Sequence, residues 1–224
     1  MANVSFTRDE VILALDVLYF SGDKHLGEHS QAIAELCNLL QDLPIHASKE
    51  RPSNFRNTVG VSKQIAAFQA ERRGIQYNSW RIGSIFHKVA DDYKDDLESL
   101  HGIAECIRRN RLFLTNCSVG DVASGDASFP EGQLLYYLHR YIEQRDSRSF
   151  FPKERCEVCQ LAVDEIYQPG EPLLEWHLTV SPLDLVAQRH YRNDSFIAVC
   201  PNCHAALHRF RPWLKKEACG AVLR

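Results

Sequence analysis

The stretch Cys156-Glu157-Val158-Cys159, followed by Leu174-Glu175-Trp176-His177 and then by Cys200-Pro201-Asn202-Cys203-His204-Ala205-Ala206-Leu207-His208, decides the fold of this chain. Each C-x-x-C pair sets two thiolates on one tight turn, the bite that tetrahedral Zn2+ prefers. Cys156 with Cys159 and Cys200 with Cys203 make a complete four-sulfur set, with no position left open for chemistry. The zinc they imply is structural. His204 and His208 are spaced i, i+4, and Pro201 suits the first turn of a helix, so both imidazoles project from one helical face. His177, between the two pairs, can complete a site for a second metal. Taken alone, such a histidine pair reads as packing beside a zinc knuckle. The adjoining C-x-x-C and the upstream Glu175-x-His177 favour the second metal.

Outward from this stretch, residues 173–180 read as the first strand of a hairpin that ends at His177. Residues 181–195 form the crossing loop, Phe196–Val199 the second strand, and Pro201–Phe210 the helix. Upstream, residues 132–145 read as a helix with Leu134, Leu135, Leu138 and Ile142 on one side. Its outer face carries His139, Arg140 and Arg145. Residues 115–131, rich in Gly, Ser and Asp, read as a linker. The expected fold class is therefore α+β and mostly helical. A helical domain spans 1–114, and a zinc-stabilised ββα domain spans 132–224.

In the N-terminal part, Thr7-Arg8-Asp9-Glu10 is a capping-box pattern that opens a helix running to about Phe20. Residues 29–41 form a second helix, stopped by Leu43-Pro44. A loop at 51–57 leads into a helix over 59–69. Residues 81–110 are helical with a break near Asp91 to Tyr93. The acidic cluster Asp91, Asp92, Asp95 and Asp96 reads as a solvated helix face.

The 224 residues leave room for one large or two small domains, and a hydrophobic content of 45% is ordinary for a globular chain. No apolar run approaches a membrane span, and the N-terminus lacks a signal pattern, so the protein reads as cytoplasmic with no membrane partner. The chain has eight cysteines. In such a compartment C-x-x-C pairs bind metal before they form disulfides, and Cys37 and Cys106 read as buried thiols. The net charge of −3 argues against wholesale coating of nucleic acid. Its distribution is uneven: Lys49, Arg51, Arg56, Lys63, Arg72, Arg73, Arg81 and Lys88 face only Glu50 and Glu71. Within this stretch Arg56, Asn57 and Lys63 precede or open a helix, a composition that suits contact with DNA phosphates and base edges. A solvated basic face is the plainer alternative.

The C-terminal stretch resembles the HNH, or ββα-metal, endonucleases, in particular the McrA-like restriction endonuclease branch. In that branch a C-E-x-C knuckle precedes I-E-x-H-H-T-x-P, then D-L-x-x-x-C-x-N-C-H-x-x-x-H-R, and a tail with R-P-W-L. Here the matching residues are Leu174-Glu175-Trp176-His177-Leu178-Thr179, Cys200-Pro201-Asn202-Cys203-His204 through His208-Arg209, and Arg211-Pro212-Trp213-Leu214. The run Phe55-Arg56-Asn57-Thr58-Val59-Gly60-Val61-Ser62-Lys63 is similar to an F-R-N-x-x-G-V-x-x-K motif of N-terminal modules fused to such nucleases. The helix at 132–145 loosely resembles their E-G-x-x-x-x-x-H-x-x-R-E-R helix through Glu131-Gly132 and His139.

The resemblance implies a DNA endonuclease of restriction or phage defence. A structural Zn2+ would sit beside a catalytic divalent metal such as Mg2+, Mn2+ or Ni2+. His204 and His208 would be metal ligands, and His177 a third ligand or the general base. Glu175 would orient His177, with Asp194, Asn193 or Ser195 standing in for an orienting Asn. Arg209 and Arg211 would hold phosphates. The partner would be double-stranded DNA, and a homodimer would let two sites cut both strands. Two positions depart from the pattern: Leu178 stands where the family has its general-base His, and Ser195 where it has Asn or Asp. They point to a slow, metal-dependent nuclease. The rival readings are a DNA-binding protein with a degenerate HNH fold and a zinc-ribbon interaction module.

Overall fold

The computed structural model describes residues 4–22, 26–75, 77, 82–123, 129–150, 153–162, 173–210 and 219. Among these the chain is α+β and mostly helical, and it divides into two compact units, residues 1–135 and 136–224. No helix of the described residues is long and apolar enough to cross a membrane.

The first unit is built around α1 (Arg8–Phe20). Its start is the expected capping box: the Thr7 side chain accepts from Glu10 N–H, and the Glu10 carboxylate accepts from Thr7 N–H. The helix presents no exposed face over its first ten residues: every residue from Arg8 to Val17 is buried. A helix buried on all sides is the centre of a bundle. Packed around α1 are α2 (Gln31–Asp42), α3 (Thr58–Arg72), α4 (Ser84–Asp92) and α5 (Leu97–Arg109). The break between α4 and α5 falls at residues 93–96, where Asp96 caps α5 through Ser99 N–H at 3.0 Å. The short helices α6 (Arg111–Leu114) and α7 (Val119–Ala123) follow. The stretch expected to be a linker thus carries α7 and two buried apolar side chains, Val122 and Phe129, and groups with the first unit. These two apolar side chains tie the described part of the stretch down.

Burial inside this bundle draws charges with it. Asp9 is 1% exposed and accepts the backbone N–H groups of Gln133 at 3.1 Å and Leu134 at 3.0 Å. Burial pushes its carboxyl up to about 6, against the partial compensation of those two bonds.

The second unit holds most of α8 (Gln133–Asp146), the antiparallel strands β1 (Glu175–Leu178) and β2 (Phe196–Val199), and α9 (Pro201–Phe210). The register pairs Glu175 with Val199, Trp176 with Ala198, His177 with Ile197 and Leu178 with Phe196. The hairpin and the helix after it stand where the sequence places them. A two-stranded sheet is too small to be stable alone. Here α8 grips β1 through one residue: Leu178 N–H donates to Glu143 Oε1 at 3.0 Å, and His139 Nε2 donates to the Leu178 carbonyl at 2.8 Å. Both Leu178 and His139 are fully buried.

Candidate metal centres

Four cysteine sulfurs converge first. Cys156, Cys159, Cys200 and Cys203 each bring a sulfur within 4.8 Å of the others. Cys159 Sγ and Cys200 Sγ lie 3.8 Å apart. A disulfide would require about 2.05 Å. Four sulfurs at about 2.3 Å from a tetrahedral ion lie about 3.8 Å from one another. The donor set and its spacing therefore fit zinc. Gln160, just past the first pair, has φ 64°, the left-handed conformation that lets the turn close behind the two thiols. Burial would raise the Cys156 thiol, but backbone N–H groups of Cys159, Cys200 and Val158 outweigh it and draw it below the ordinary value. Burial and the neighbouring thiols push Cys203 up. Around the four sulfurs Val158, Ile197, Val199, Leu207 and Cys219 close an apolar shell.

A second cluster forms beside the first. Glu143 of α8, His177 of β1, and His204 and His208 of α9 each bring a ligand atom within 4.8 Å of the rest. Glu143 Oε1 is 3.0 Å from His177 Nδ1 and 3.5 Å from His204 Nε2. Glu143 Oε2 is 3.3 Å from His208 Nε2, and the Nε2 atoms of His204 and His208 are 2.9 Å apart. Donors bonded at about 2.1 Å to one ion stand about 3.0 Å apart in an octahedron and about 3.4 Å apart in a tetrahedron. The observed edges span those values, so this set also fits a divalent metal.

Electrostatics agree. Burial alone would raise the Glu143 carboxyl, but four surrounding imidazoles hold it well below the usual carboxylate range. His204 is disfavoured as a cation by burial, yet Glu143 and Glu175 more than offset this and raise it. His208 is lowered, by burial first. His139 adds a fourth ring to the group, 5.3 Å from His177 and 5.2 Å from His208 between centroids. Burial pushes it down to about 3. The Leu178 carbonyl can only accept, so neutral His139 carries its proton on Nε2.

The sequence-derived residues divide clearly. His177, His204 and His208 come together as expected. His177 is fully buried and faces Glu143, which is a ligand's position and not that of a base reaching for water. Glu175 does not orient His177. Residues i and i+2 of a strand share a face, and the Glu175 carboxylate instead reaches across to His204 Nδ1. It fixes that proton and leaves His204 Nε2 turned toward Glu143 and His208. Asn193 and Asp194 lie exposed on the 3-10 turn ahead of β2, and Asp194 is not among the clustered ligands. Leu178, one residue on from His177, belongs to the opposite strand face.

The residues expected to touch DNA fare unevenly. Arg56 must be corrected. It is 8% exposed, and its guanidinium donates to both Glu10 oxygens, at 2.6 and 2.8 Å, and to the carbonyls of Val4 and Ser5 at 2.9 Å. A cation spent on a buried carboxylate is not available to a phosphate. Asn57 caps α3, its Oδ1 accepting Gly60 N–H at 2.8 Å. Lys63 is exposed and lines a cavity of about 440 Å3 with Phe6, Asn54, Asn57, Gln64 and Phe86. Arg209 is exposed on α9. Arg211 and the rest of Arg211-Pro212-Trp213-Leu214 lie outside the described residues.

Glu143 is what reading the sequence missed. The helix of residues 132–145 shows a leucine stripe, and its other face reads as solvent-facing. In the structure His139, Glu143 and Asp146, at i, i+4 and i+7, form a second buried stripe. That spacing of polar residues on a helix already packed by leucines is the signal that could have found it. A third group, Asp16, His101 and Glu105, also satisfies ligand spacing. Arg108 stands 2.6 Å from both carboxylates and already neutralises them.

Comparison with protein-family models, with characterised proteins and with solved structures finds no match.

Proposed function

We propose that this chain is a metal-dependent DNA endonuclease of the HNH, ββα-metal type, acting on double-stranded DNA. The observation that carries the reading is the convergence of Glu143, His177, His204 and His208 next to a four-cysteine zinc set, on a hairpin followed by a helix. Glu143 and the three histidines would hold the catalytic divalent ion. When bound, that ion supplies polarisation of the scissile phosphate and stabilisation of the leaving oxygen. Imidazole and carboxylate together favour Mn2+, Ni2+ or Zn2+ over Mg2+.

The chain's own groups do the remaining work. Glu175, on the strand face of His177, holds the proton of His204 Nδ1, and its side chain is 51% exposed at the edge of the cluster. On this reading it would be the carboxylate that takes a proton from an attacking water. His139 and Glu143 pin the backbone of Leu178 and so fix His177 in the strand. Arg209, on the exposed side of α9, would hold a flanking phosphate. In the first unit, Lys63, in the second turn of α3, is an exposed cation that would make a separate DNA contact.

Leu178 favours a second reading. It is buried and offers no base, as expected of a protein that keeps the metal centre and binds DNA without cutting it. Incubation of supercoiled plasmid with Mn2+, Ni2+ or Mg2+ separates the two. Nicked circles support the nuclease. Salt-dependent DNA retardation without nicking supports the binding protein.

A further inference from the structure

The metal cluster already contains a cation. Arg140 Nη1 stands 2.7 Å from Glu143 Oε2 and 3.1 Å from both His204 Nε2 and His208 Nε2. One nitrogen with two hydrogens thus faces a carboxylate oxygen and two imidazole nitrogens, all from the set that fits a divalent ion. Guanidinium does not give up its charge. An ion bonded at about 2.1 Å to the same three atoms would lie in contact with Nη1, so the two cations cannot share the site. The Arg140 side chain is 32% exposed, against 2% for Glu143, so the way out for the guanidinium leads to solvent.

We infer that Arg140 and the divalent metal are alternative occupants of one site. Without metal, the guanidinium neutralises Glu143 and holds His204 and His208 in ligating position. Metal displaces it, and the freed cation, tethered at the mouth of the cluster, then holds a DNA phosphate. Metal loading therefore creates the substrate-binding cation as well as the reactive centre. The inference rests on reading this cluster as a metal site, but not on cleavage.

The test counts Mn2+ bound to the zinc-loaded full chain by the paramagnetic signal of the free ion. Mn2+ prefers oxygen and nitrogen donors, so the thiolate site does not interfere. Removing a charge-assisted competitor should tighten Mn2+ binding roughly tenfold or more in Arg140→Ala. Arg140→Gln gives the same result if the alanine variant folds poorly. Arg140→Lys, which keeps a cation without the planar fork, should fall between. Unchanged or weaker Mn2+ binding in the folded Ala and Gln variants would overturn the exchange.

A second arm measures binding of a short duplex before cleavage accumulates. Arg140→Ala should weaken binding only when Mn2+ is present, with a salt slope lower by about one. An equal loss with and without Mn2+, or no loss, would overturn the phosphate role. If no form binds Mn2+, the metal centre falls together with this inference. If the exchange is seen but no form nicks DNA, the inference stands and the nuclease reading falls.

Discussion

Glu143 Oε1 lies 3.0 Å from His177 Nδ1, joining a helix and a strand whose sequences give no hint of each other. The carboxylate is 2% exposed and reaches His204 and His208 as well, so one acidic residue organises three imidazoles. Replacing Glu143 by Ala should weaken Mn2+ binding by at least the 10–100-fold typical of losing a ligand's hydrogen-bonding partner. Zinc content should stay at one ion per chain, because the four thiolates are untouched. Metal analysis with Mn2+ titration checks both, and undiminished Mn2+ affinity would remove Glu143 from the site.

Arg56 makes the opposite case, a residue whose charge suggested a ligand and whose surroundings make it structural. Arg56→Ala leaves Glu10 buried with only His46, at 3.1 Å, and the Thr7 hydroxyl, at 3.3 Å, as side-chain partners. Breaking a buried pair from one side costs about 3–5 kcal/mol. Urea unfolding should show that loss. Lys63→Ala should change stability by less than about 0.5 kcal/mol yet weaken DNA binding. An Arg56→Ala protein of normal stability with impaired DNA binding would return Arg56 to the interface.

Asp9 gives the first unit a defined pH dependence. Its carboxyl is raised by burial from 3.8 to about 6 in the folded chain. The folded state therefore holds the proton more tightly than the unfolded state does. The resulting stability is fully present below about pH 4 and is lost as pH rises through about 6, up to about 3 kcal/mol in all. Asp9→Asn, neutral throughout, should lack this slope. Unfolding free energies of both proteins at pH 4, 5, 6 and 7 test it, and parallel curves would count against a proton on Asp9.

Proton transfer can be assigned with three variants. Glu175→Gln keeps an oxygen for His204 Nδ1 but cannot take a proton. It should lower the nicking rate by about 10²-fold or more while Mn2+ affinity stays within a few-fold. Glu175→Ala should weaken both. His190 is 80% exposed with Asp146 at 2.9 Å behind it, the arrangement of a base held by a carboxylate. Its replacement by Ala should leave the rate unchanged. The reverse pattern would make His190 the base.

Much of this was legible in the residues. Thr7 and Glu10 announce α1, the two C-x-x-C pairs announce the four-sulfur set, and the i, i+4 spacing of His204 and His208 puts them on one face. Local chemistry fixes each of these features. What could not be read depends on tertiary packing. Nothing local tells Arg56, buried against Glu10, from Lys63, exposed seven residues further on. His139 reads as surface because one apolar stripe is enough to dock a helix. The second stripe has its meaning only in the packed unit, where Glu143 and His139 grip the backbone of Leu178. That contact also changes the meaning of Leu178: with its side chain on the face opposite His177, a histidine there would be buried away from the cluster.

On the proposed reading, Glu143, His177, His204 and His208 form the centre at which DNA would be cut. The most direct test is Mn2+-dependent nicking of supercoiled plasmid by the wild-type chain and by His204→Ala, purified side by side with equal zinc content. The wild type should nick slowly and not at all without added metal, and His204→Ala should not nick at any Mn2+ concentration. Nicking by His204→Ala at the wild-type rate would contradict the proposed reading.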